Sequence, residues 1–317
     1  MKNEELFTYQ GSNPCPANID EYWDEALREM HDTDPRPELV ESSFKVPNAE
    51  CFDLYFTGVR GARIHAKYLR PKNTSSPCPA ILNFHGYSGN CGQWWEKLSF
   101  VQSGFCIAAM DCRGQNGGSE DVGGVKGCTF NGHIIRGIWN SNPHDMLMRH
   151  IFLDTAMLAR VIMSFEEVDE SRVAAFGFSQ GGALTLACAA LEPRIKKLVT
   201  VYPFLCDYKK AWELETGLSA YLEIKQYFRY FDPLHEHEDE FFEKLGYIDI
   251  QNLTKRIKAD TLMLTALNDV VCPPITQFAA YNKITSNKRV KFYPDYGHEA
   301  IVGADDIIYQ ELLTLFD

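Results

Sequence analysis

The residues Gly177-Phe178-Ser179-Gln180-Gly181 fit the pattern G-x-S-x-G, which places a serine between two closely spaced glycines. The segment before them, 171–176, predicts a short buried strand, and the small residues at 182–190 predict a helix. A strand, a sharp turn and a helix are the context in which this pattern forms a nucleophile elbow, because a Cβ at the glycines would clash in the strained turn. The motif therefore predicts that Ser179 is a catalytic nucleophile. A glycine-rich turn without chemical consequence is the alternative.

A serine hydroxyl needs a base to accept its proton and an acid to hold that base in one tautomer. On α/β-hydrolase scaffolds the three residues follow in the chain order Ser, Asp or Glu, His. His298 follows a predicted strand at 289–293 and a turn, so we expect it to be the general base. Asp269 directly follows the predicted strand at 260–267, and we expect it to orient the imidazole. Asp295 is the competing acid, although aspartate at such a position usually forms the turn itself.

An acyl-transfer reaction also needs N–H donors for the negative oxygen of its tetrahedral intermediate. One donor is expected to be the backbone N–H of Gln180, the residue after the nucleophile. The second is expected from the loop 85–89, His-Gly-Tyr-Ser-Gly, which follows a predicted strand and is similar to the HG-type oxyanion loop of esterases. The backbone N–H of Tyr87 is the predicted donor in this loop. His85 precedes the nucleophile in the chain and is better explained as an anchor of the loop than as a base.

The elements that must position these residues are predicted by the periodicity of apolar residues. An amphipathic helix is expected at 19–31, and the alternating segments 52–57 and 63–69, joined by a turn at 58–61, predict a β-hairpin. Further strands are predicted at 79–84, 104–111, 195–202, 260–267 and 289–293, and helices at 146–165, 275–283 and 305–316. Buried strands that alternate with helices indicate an α/β fold with a mostly parallel central sheet covered on both faces, and the hairpin indicates an antiparallel edge.

Two segments do not fit a minimal α/β sheet. Residues 113–143 contain many glycines without a clear period, and a loop of this length usually has a function or a structure of its own. Residues 203–258 are rich in aromatic and charged residues and predict a helical insertion over the carboxyl edge of the sheet. The insertion is either a peripheral helical bundle with its own core or a lid that shapes the substrate site. A length of 317 residues alone is compatible with one large domain or two small ones.

Composition and charge exclude several classes of function. A net charge of −12 argues against affinity for nucleic acid or an anionic membrane, because phosphate groups would be repelled. No apolar run reaches the ~18 residues of a membrane-spanning helix, and the polar, acidic first residues predict no secretory signal. The ten cysteines are scattered without a C-x-x-C pair, so we expect reduced thiols in the cytoplasm. His235 and His237 lie in an acidic stretch that predicts a solvated helix face or a linker; metal binding is the alternative, without a feature that fixes its geometry.

Several sequence matches, spread over nearly the whole chain, give it a family resemblance. They are His85-Gly86-Tyr87, Arg113-Gly114-Gln115, Gly177-Phe178-Ser179-Gln180-Gly181-Gly182 and His298-Glu299, with further similarity at 132–137, 202–207 and 269–274. On these residues the chain resembles carbohydrate esterase family seven, the acetyl xylan esterase and cephalosporin C deacetylase family. The R-G-Q element discriminates most, because ordinary hydrolases lack it. The resemblance implies one α/β-hydrolase domain over residues 1–317.

The resemblance also implies an activity and an assembly. It implies a serine esterase that removes acetate from acetylated xylo-oligosaccharides, other acetylated sugars and cephalosporin C, without a metal or an organic cofactor. It implies a homo-hexamer in which residues 113–143 supply much of the subunit contact. Arg113 and Gln115 would support the structure of the active site. One departure is Phe178, where the family often has glycine; we expect it to alter packing beneath the serine without preventing activity.

The sequence leaves alternatives open for the substrate. A preference for acetyl over longer acyl groups needs a small pocket, which Tyr87, Trp94 or Trp95 could wall, although the tryptophans are equally well explained as core. A general short-chain carboxylesterase, or another serine hydrolase of the same fold such as an oligopeptidase, is the alternative function. A non-catalytic binding protein on this fold would lack a member of the predicted triad, and none is missing from the sequence.

Overall fold

The computed structural model describes residues 3–122, 133–214 and 220–317, and this part of the chain is built around one mixed β-sheet. Its strands are β1 (Glu38–Glu41), β2 (Ala49–Thr57), β3 (Arg63–Pro71), β4 (Cys78–Phe84), β5 (Cys106–Met110), β6 (Val168–Phe178), β7 (Lys197–Val201), β8 (Asp260–Ala266) and β9 (Lys288–Tyr293). The order across the sheet is β1-β2-β3-β5-β4-β6-β7-β8-β9. In this order, the pairs β1–β2, β2–β3 and β3–β5 are antiparallel, and all pairs from β5–β4 to β8–β9 are parallel.

Helices cover both faces of this sheet. The α-helices of the described residues are α1 (Asn3–Thr8), α2 (Ile19–Asp32), α3 (Leu98–Gln102), α4 (Leu147–Met163), α5 (Gln180–Leu191), α6 (Tyr208–Glu213), α7 (Leu222–Phe231), α8 (Glu238–Gly246), α9 (Pro274–Lys283) and α10 (Ala304–Leu313). Residues of α2, α4 and α5 belong to one large apolar cluster, and residues of α3 and α10 belong to a second, smaller one. None of the helices in the described part of the chain is long and apolar enough to cross a bilayer.

The α/β fold predicted from the sequence is confirmed, including the antiparallel hairpin of β2 and β3. Strands β4, β5, β7 and β8 and the second half of β6 are mostly apolar because helices bury both of their faces, whereas the edge strand β9 mixes charged and apolar residues. The sequence analysis missed β1, α1 and α3. These elements have four, six and five residues, too few to show a period, and β1 is largely exposed.

The insertion at 203–258 is helical, as predicted, and contains α6, α7 and α8. Its aromatic side chains pack on one another, as Phe228 does on Phe241 with ring centroids 5.0 Å apart. The buried members of this group belong to the same apolar cluster as α4 and α5, so the insertion does not have a core of its own. At its start, the ring of Phe204 packs edge-on against Tyr87 at 6.0 Å, which brings the insertion to the predicted oxyanion loop.

The glycine-rich segment 113–143 is described only in part, because residues 123–132 lie outside the described residues. The flanking residues 113–122 and 133–142 form turns and bends and no regular element. They are nevertheless fixed by specific contacts. The guanidinium of Arg113 is fully buried, and the backbone N–H of Ile135 donates to Glu223 Oε2 at 3.0 Å.

Candidate active site

Ser179 lies at the sharp turn between β6 and α5, as the pattern predicts. Its backbone has φ 56° and ψ −119°, a conformation that residues with a side chain rarely adopt. The flanking glycines permit this turn, because a Cβ on Gly177 would lie 2.7 Å from the carbonyl oxygen of Phe84 and one on Gly181 would lie closer still. The turn presents the serine at the carboxyl end of β6 and starts α5 at Gln180.

Ser179, His298 and Asp269 form a continuous hydrogen-bonded chain. Nε2 of His298 lies 3.1 Å from Oγ of Ser179, and Nδ1 lies 2.8 Å from Oδ2 of Asp269. The other carboxylate oxygen, Oδ1, accepts the backbone N–H groups of Val271 and Cys272, both at 2.8 Å, which fixes the orientation of Asp269. Because Nδ1–H donates to the carboxylate, Nε2 is left to accept the proton of the serine hydroxyl.

The structure brings Asp269, and not Asp295, to the imidazole. Asp295 is exposed in the turn before His298, and no hydrogen bond or ion pair joins these two side chains. The loops after β8 and β9 are held together by a backbone hydrogen bond from Asn268 to Tyr296 at 3.0 Å. This contact sets the carboxylate at the end of β8 against the imidazole that follows β9.

Two backbone N–H groups beside the serine are available to an oxygen of a substrate. Neither the N–H of Tyr87 nor that of Gln180 has a hydrogen-bond partner among the described residues. Gln180 is the first residue of α5, so its N–H lies at the helix N-terminus, where the groups have no intrahelical acceptor and the helix dipole is positive. Both groups can therefore donate to a developing oxyanion.

His85 anchors the loop that contains Tyr87. Its Nε2 lies 3.0 Å from the backbone nitrogen of Cys112, and its Nδ1 lies 2.7 Å from the carbonyl oxygen of Gly86. Because the N–H of Cys112 is a donor, Nε2 must accept, and the ring proton is on Nδ1. Burial lowers the pKa of His85, which favours this neutral form. This geometry agrees with the expectation that His85 anchors the loop.

Gln115 of the R-G-Q element connects the two predicted oxyanion donors. Its Nε2 donates to Oε1 of Gln180 at 2.8 Å, and Nε2 of Gln180 donates to its Oε1 at 3.0 Å. The same Oε1 accepts the backbone N–H of Ser88 at 3.0 Å. Gln115 therefore joins Ser88, which follows Tyr87, and Gln180, which follows Ser179, in one hydrogen-bond network.

Arg113, the first residue of the R-G-Q element, forms an ion pair with a residue of helix α4. Its Nε and one terminal nitrogen donate to the two carboxylate oxygens of Asp154, each at 2.6 Å, and that terminal nitrogen also donates to the carbonyl oxygen of Val59 at 3.2 Å. Both side chains of this ion pair are fully buried. A buried, bidentate pair fixes the loop firmly, since either charge alone would be costly in the core.

A second buried network holds the same loop at Asp111. Its Oδ2 lies 2.7 Å from Nδ1 of His65 and accepts the N–H of Gly118, and its Oδ1 accepts the N–H of Cys91. The other ring nitrogen of His65 lies 2.9 Å from a carboxylate oxygen of Asp53. This imidazole between two carboxylates ties β2 and β3 to the loop that carries Arg113 and Gln115.

Several of these residues were not found by reasoning from the sequence. Asp154 is the single acid in the apolar helix α4, and a buried carboxylate needs a partner. The sequence could therefore have predicted that Asp154 forms a buried ion pair or hydrogen bond. Tyr202, whose ring lies 4.7 Å from that of His298, carried no such signal. Cys272 lies buried beside the triad, and burial raises the pKa of its thiol, which favours the neutral form.

The structure also locates the tryptophans that were candidates for the acyl pocket. Trp94 stacks on Phe44 at 6.3 Å and packs against the second apolar cluster. Trp95 is 66% exposed and begins the 3₁₀ turn that precedes α3. Neither ring is hydrogen-bonded or ring-stacked to a residue of the triad. Tyr87 contacts Phe204 through its ring and is half-buried.

Two groups of side chains in the described residues have metal-ligand types close together, and neither includes His235 or His237. One is Asp269, Cys272 and His298, and the other is His65, Cys91 and Asp111, with ligand atoms within 4.8 Å in each. In both, the carboxylates and imidazoles already hydrogen-bond to one another or to backbone N–H groups, as described above. His235 instead pairs with Glu238 at 2.9 Å on the surface.

Comparison with known proteins places this geometry in a family. The family model described as acetyl xylan esterase matches residues 1–313 of the chain. The chain is also similar to the acetyl esterase Axe7A of Xylanibacter ruminicola, with 26% identity over 292 residues. That alignment covers 89% of this chain and 63% of the relative, so the chain spans less than two thirds of the length of that relative.

Two solved structures are similar over their full length. Acetyl xylan esterase 1 from Thermoanaerobacterium sp. is 59% identical, with a TM-score of 0.98 over 100% of this chain and 99% of that one. The acetyl xylan esterase from Paenibacillus sp. R4 is 33% identical, with a TM-score of 0.94 over 99% of each chain. With the nucleophile elbow, the Ser–His–Asp geometry and the match over residues 1–313, the chain belongs to the acetyl xylan esterase family, a family of carboxylic ester hydrolases with the α/β-hydrolase fold.

Proposed function

We propose that this protein is a serine esterase that removes acetyl groups from acetylated xylo-oligosaccharides, other acetylated sugars and cephalosporin C. The observation that carries the proposal is the hydrogen-bonded chain from Ser179 through His298 to Asp269 at the carboxyl edge of the sheet. The family to which the chain belongs supports acetylated xylan fragments as the substrate class. A general short-chain carboxylesterase is the alternative, because the same triad would act on longer acyl groups.

In the proposed first step, Oγ of Ser179 attacks the acetyl carbonyl carbon while Nε2 of His298 accepts the hydroxyl proton. Asp269 stabilises the imidazolium that forms, through the bond to Nδ1. The carbonyl oxygen becomes negative and is stabilised by the N–H groups of Tyr87 and Gln180. Gln115 positions these donors, and Arg113 holds the loop that carries Gln115.

In the proposed second half, the bond to the sugar breaks and acetate is released. Protonated His298 donates its proton to the leaving sugar oxygen, which leaves an acetyl ester on Ser179. A water molecule then loses a proton to Nε2 of His298 as it attacks the acetyl carbon. Collapse of the second tetrahedral intermediate releases acetate and returns the proton to Oγ of Ser179. The reaction needs no metal or organic cofactor in this proposal.

We also propose one catalytic domain over residues 1–317, a homo-hexameric assembly and a cytoplasmic location. The resemblance to the family supports the hexamer, with residues 113–143 at the subunit contact. In the described part of that loop, Trp139 and Phe231 of α7 form a partly exposed aromatic pair with centroids 4.9 Å apart, which would suit burial in an interface. The nine cysteines among the described residues are free thiols, the state expected in a reducing compartment. Sedimentation velocity tests the hexamer directly.

Acyl-chain specificity is the experiment that tests the function. Initial rates on p-nitrophenyl acetate and butyrate are compared for the wild type, Ser179→Ala and the control Ser75→Ala, which removes an exposed hydroxyl. We expect the wild type and Ser75→Ala to cleave the acetate ester much faster than the butyrate ester, and Ser179→Ala to lose this activity. The wild type should then release acetate from acetylated xylotriose. Equal rates on butyrate would favour the general esterase, and an active Ser179→Ala variant would exclude the mechanism.

A further inference from the structure

A cleft of about 800 Å³ opens on the face of the sheet that α3 and α10 cover. Its floor is formed by Ile107, Asn83 and Phe176, which belong to the neighbouring strands β5, β4 and β6. Helices α3 and α10 meet beside this space, where the hydroxyl of Tyr309 donates to the carbonyl oxygen of Ser99 at 3.0 Å. None of the triad residues lines this space, which we name the α3–α10 cleft.

Aromatic rings form much of the wall of the cleft. Phe100 packs against Phe176 at 5.5 Å and against Tyr309 at 5.2 Å. Phe178, the residue at which the chain departs from the usual glycine of the family, also lines the cleft and is half-buried. At the mouth, Trp95 is 66% exposed. Because Phe100 and Phe176 are themselves buried, the rings that a ligand in the cleft can reach are those of Trp95 and, in part, Phe178 and Tyr309.

Polar groups are placed around these rings. Asn83 is the single polar residue among the seven of β4, and its amide nitrogen makes only a long bond, 3.4 Å, to the carbonyl oxygen of Phe176. The carboxylates of Glu96, Asp305 and Asp306 line the cleft together with the ammonium of Lys97, which donates to the carbonyl oxygen of Gln93 and to Glu96. No described side chain forms a hydrogen bond or an ion pair with Asp305 or Asp306. The cleft thus offers an amide in its floor and carboxylate acceptors at its edge.

We propose that the α3–α10 cleft binds a neutral oligosaccharide chain, specifically the xylose backbone of the substrate. Sugar rings have apolar C–H faces that pack on aromatic rings, while their hydroxyls donate to carboxylates and bond to amides. The lining has three carboxylates and one ammonium, that of Lys97, which is already paired with Glu96. This excess of negative charge and the net charge of −12 disfavour an anionic ligand. The volume lies within the range of about 300–1,000 Å³ that is usual for small-ligand sites. The choice of xylose rests on the proposed function.

The position of the cleft explains why such a site would serve this enzyme. His85 and Gly86 form one end of it, and the next residue, Tyr87, is the proposed oxyanion donor. Phe178 lines it as well and directly precedes Ser179. A xylan fragment held in the cleft would therefore stay beside the catalytic loops between successive acetyl removals. The departure at Phe178 adds an aromatic surface to this site.

Calorimetric titration with unacetylated xylotriose tests the proposal in the Ser179→Ala background, where turnover cannot occur. We expect binding to the parent, and a loss of affinity of about tenfold or more in both Trp95→Ala and Asn83→Leu. Trp95→Phe keeps an aromatic face and should retain most of the affinity. Tyr230→Ala is the matched control, because Tyr230 is 60% exposed and lies on α7, away from the cleft. Trigalacturonate, an anionic trisaccharide, should bind at least tenfold more weakly than xylotriose.

The binding experiment tests the proposed sugar site independently of the esterase activity. Absence of binding at millimolar xylotriose would overturn it, even if the wild type cleaves acetylated xylotriose. Binding that persists unchanged in Trp95→Ala and Asn83→Leu would place the sugar elsewhere and would overturn it too. Because Trp95 is on the surface, its variants test the cleft even if Asn83→Leu does not fold. Conversely, a loss of xylotriose binding in the cleft variants alone would support the proposed sugar site, even if the physiological ester proved not to be acetylated xylan.

Discussion

The side-chain amides of Gln115 and Gln180 form a reciprocal pair, in which each Nε2 lies within 3.0 Å of the other Oε1. The side-chain oxygen of Gln115, Oε1, also accepts the backbone N–H of Ser88. One side chain thus holds both stretches of backbone that supply the proposed oxyanion donors, the N–H groups of Tyr87 and Gln180. Such preorganisation matters for catalysis because donors that are already aligned need no reorganisation when charge develops.

Gln115→Ala should therefore impair the chemical step. Complete loss of one oxyanion donor typically lowers kcat about 10²–10³-fold, and misplacing both donors slightly should lower it by about one order of magnitude or more. KM for p-nitrophenyl acetate should change little, because the amide groups of the pair bond to each other. The comparison is with Gln310→Ala, an exposed glutamine on α10. An unchanged kcat in Gln115→Ala would show that the pair is only structural.

The two candidate acids can be separated by isosteric substitution. Asp269→Asn keeps the shape of the side chain but removes the charge and favours the wrong imidazole tautomer, which in a comparable triad lowers kcat about 10⁴-fold. Asp295→Asn should leave kcat within about twofold, since this exposed carboxylate makes no hydrogen bond to the imidazole and such surface substitutions have small effects. Steady-state kinetics on p-nitrophenyl acetate distinguishes them, and the reverse ranking would reassign the acid.

The buried ion pair of Arg113 and Asp154 should contribute strongly to stability. Asp154→Leu leaves the guanidinium buried without a counter-charge, so we expect a decrease of about 3–5 kcal/mol in the free energy of unfolding. Urea unfolding measures it. Glu25→Ala, which removes an exposed partner of Arg28, should cost less than about 1 kcal/mol.

The double variant Arg113→Met/Asp154→Leu tests the cause of that loss. An apolar pair of similar volume should recover much of the stability, because no charge then remains in the core. Activity should stay low in the double variant, since the loop that carries Gln115 loses its anchor. A double variant as unstable as Asp154→Leu would indicate packing, and not charge, as the cause.

His65 should make the protein sensitive to alkali. Burial alone would lower the pKa of His65, but hydrogen bonds to Asp111, Cys91 and Asp53 outweigh it and raise the pKa to about 10. The folded state thus holds a proton that the unfolded state loses near pH 6.5. The stabilisation is fully present below about pH 6.5 and is lost as the pH rises towards 10.

His65→Gln should remove this dependence. The wild type should lose unfolding temperature steadily between pH 7 and 10, whereas the variant should start lower and decline less. Exposed His237, which forms only a long surface pair with Glu240, provides the control through His237→Gln. Parallel pH profiles for wild type and His65→Gln would contradict a protonated His65 in the folded state.

The nucleophile elbow could be predicted from sequence because all of its signals are local. A strand, the three glycines around Ser179 and a small-residue helix are contiguous, and the turn they form follows from sterics within that segment. His298 followed from chain order, since few histidines come after the serine. The α/β fold followed similarly from the alternation of apolar strands and helices.

Contacts between distant segments could not be predicted in this way. Gln115 and Gln180 are separated by 65 positions, and Arg113 and Asp154 by 41. Amide and guanidinium groups can bond to many partners, so residue type alone does not say which partner a loop will meet.

The sequence by itself determined the fold class and predicted Ser179 as the nucleophile, because the alternation of elements and the nucleophile elbow depend on short-range periodicity and turn sterics. Tertiary structure decided between Asp269 and Asp295, since only the register of β8 beside β9 sets which carboxylate meets the imidazole. It also decided the place of Trp95, which lines a cleft together with residues of β4, β5, β6 and α10. Such clefts depend on how elements pack, and packing is a property of the whole chain and not of any one segment.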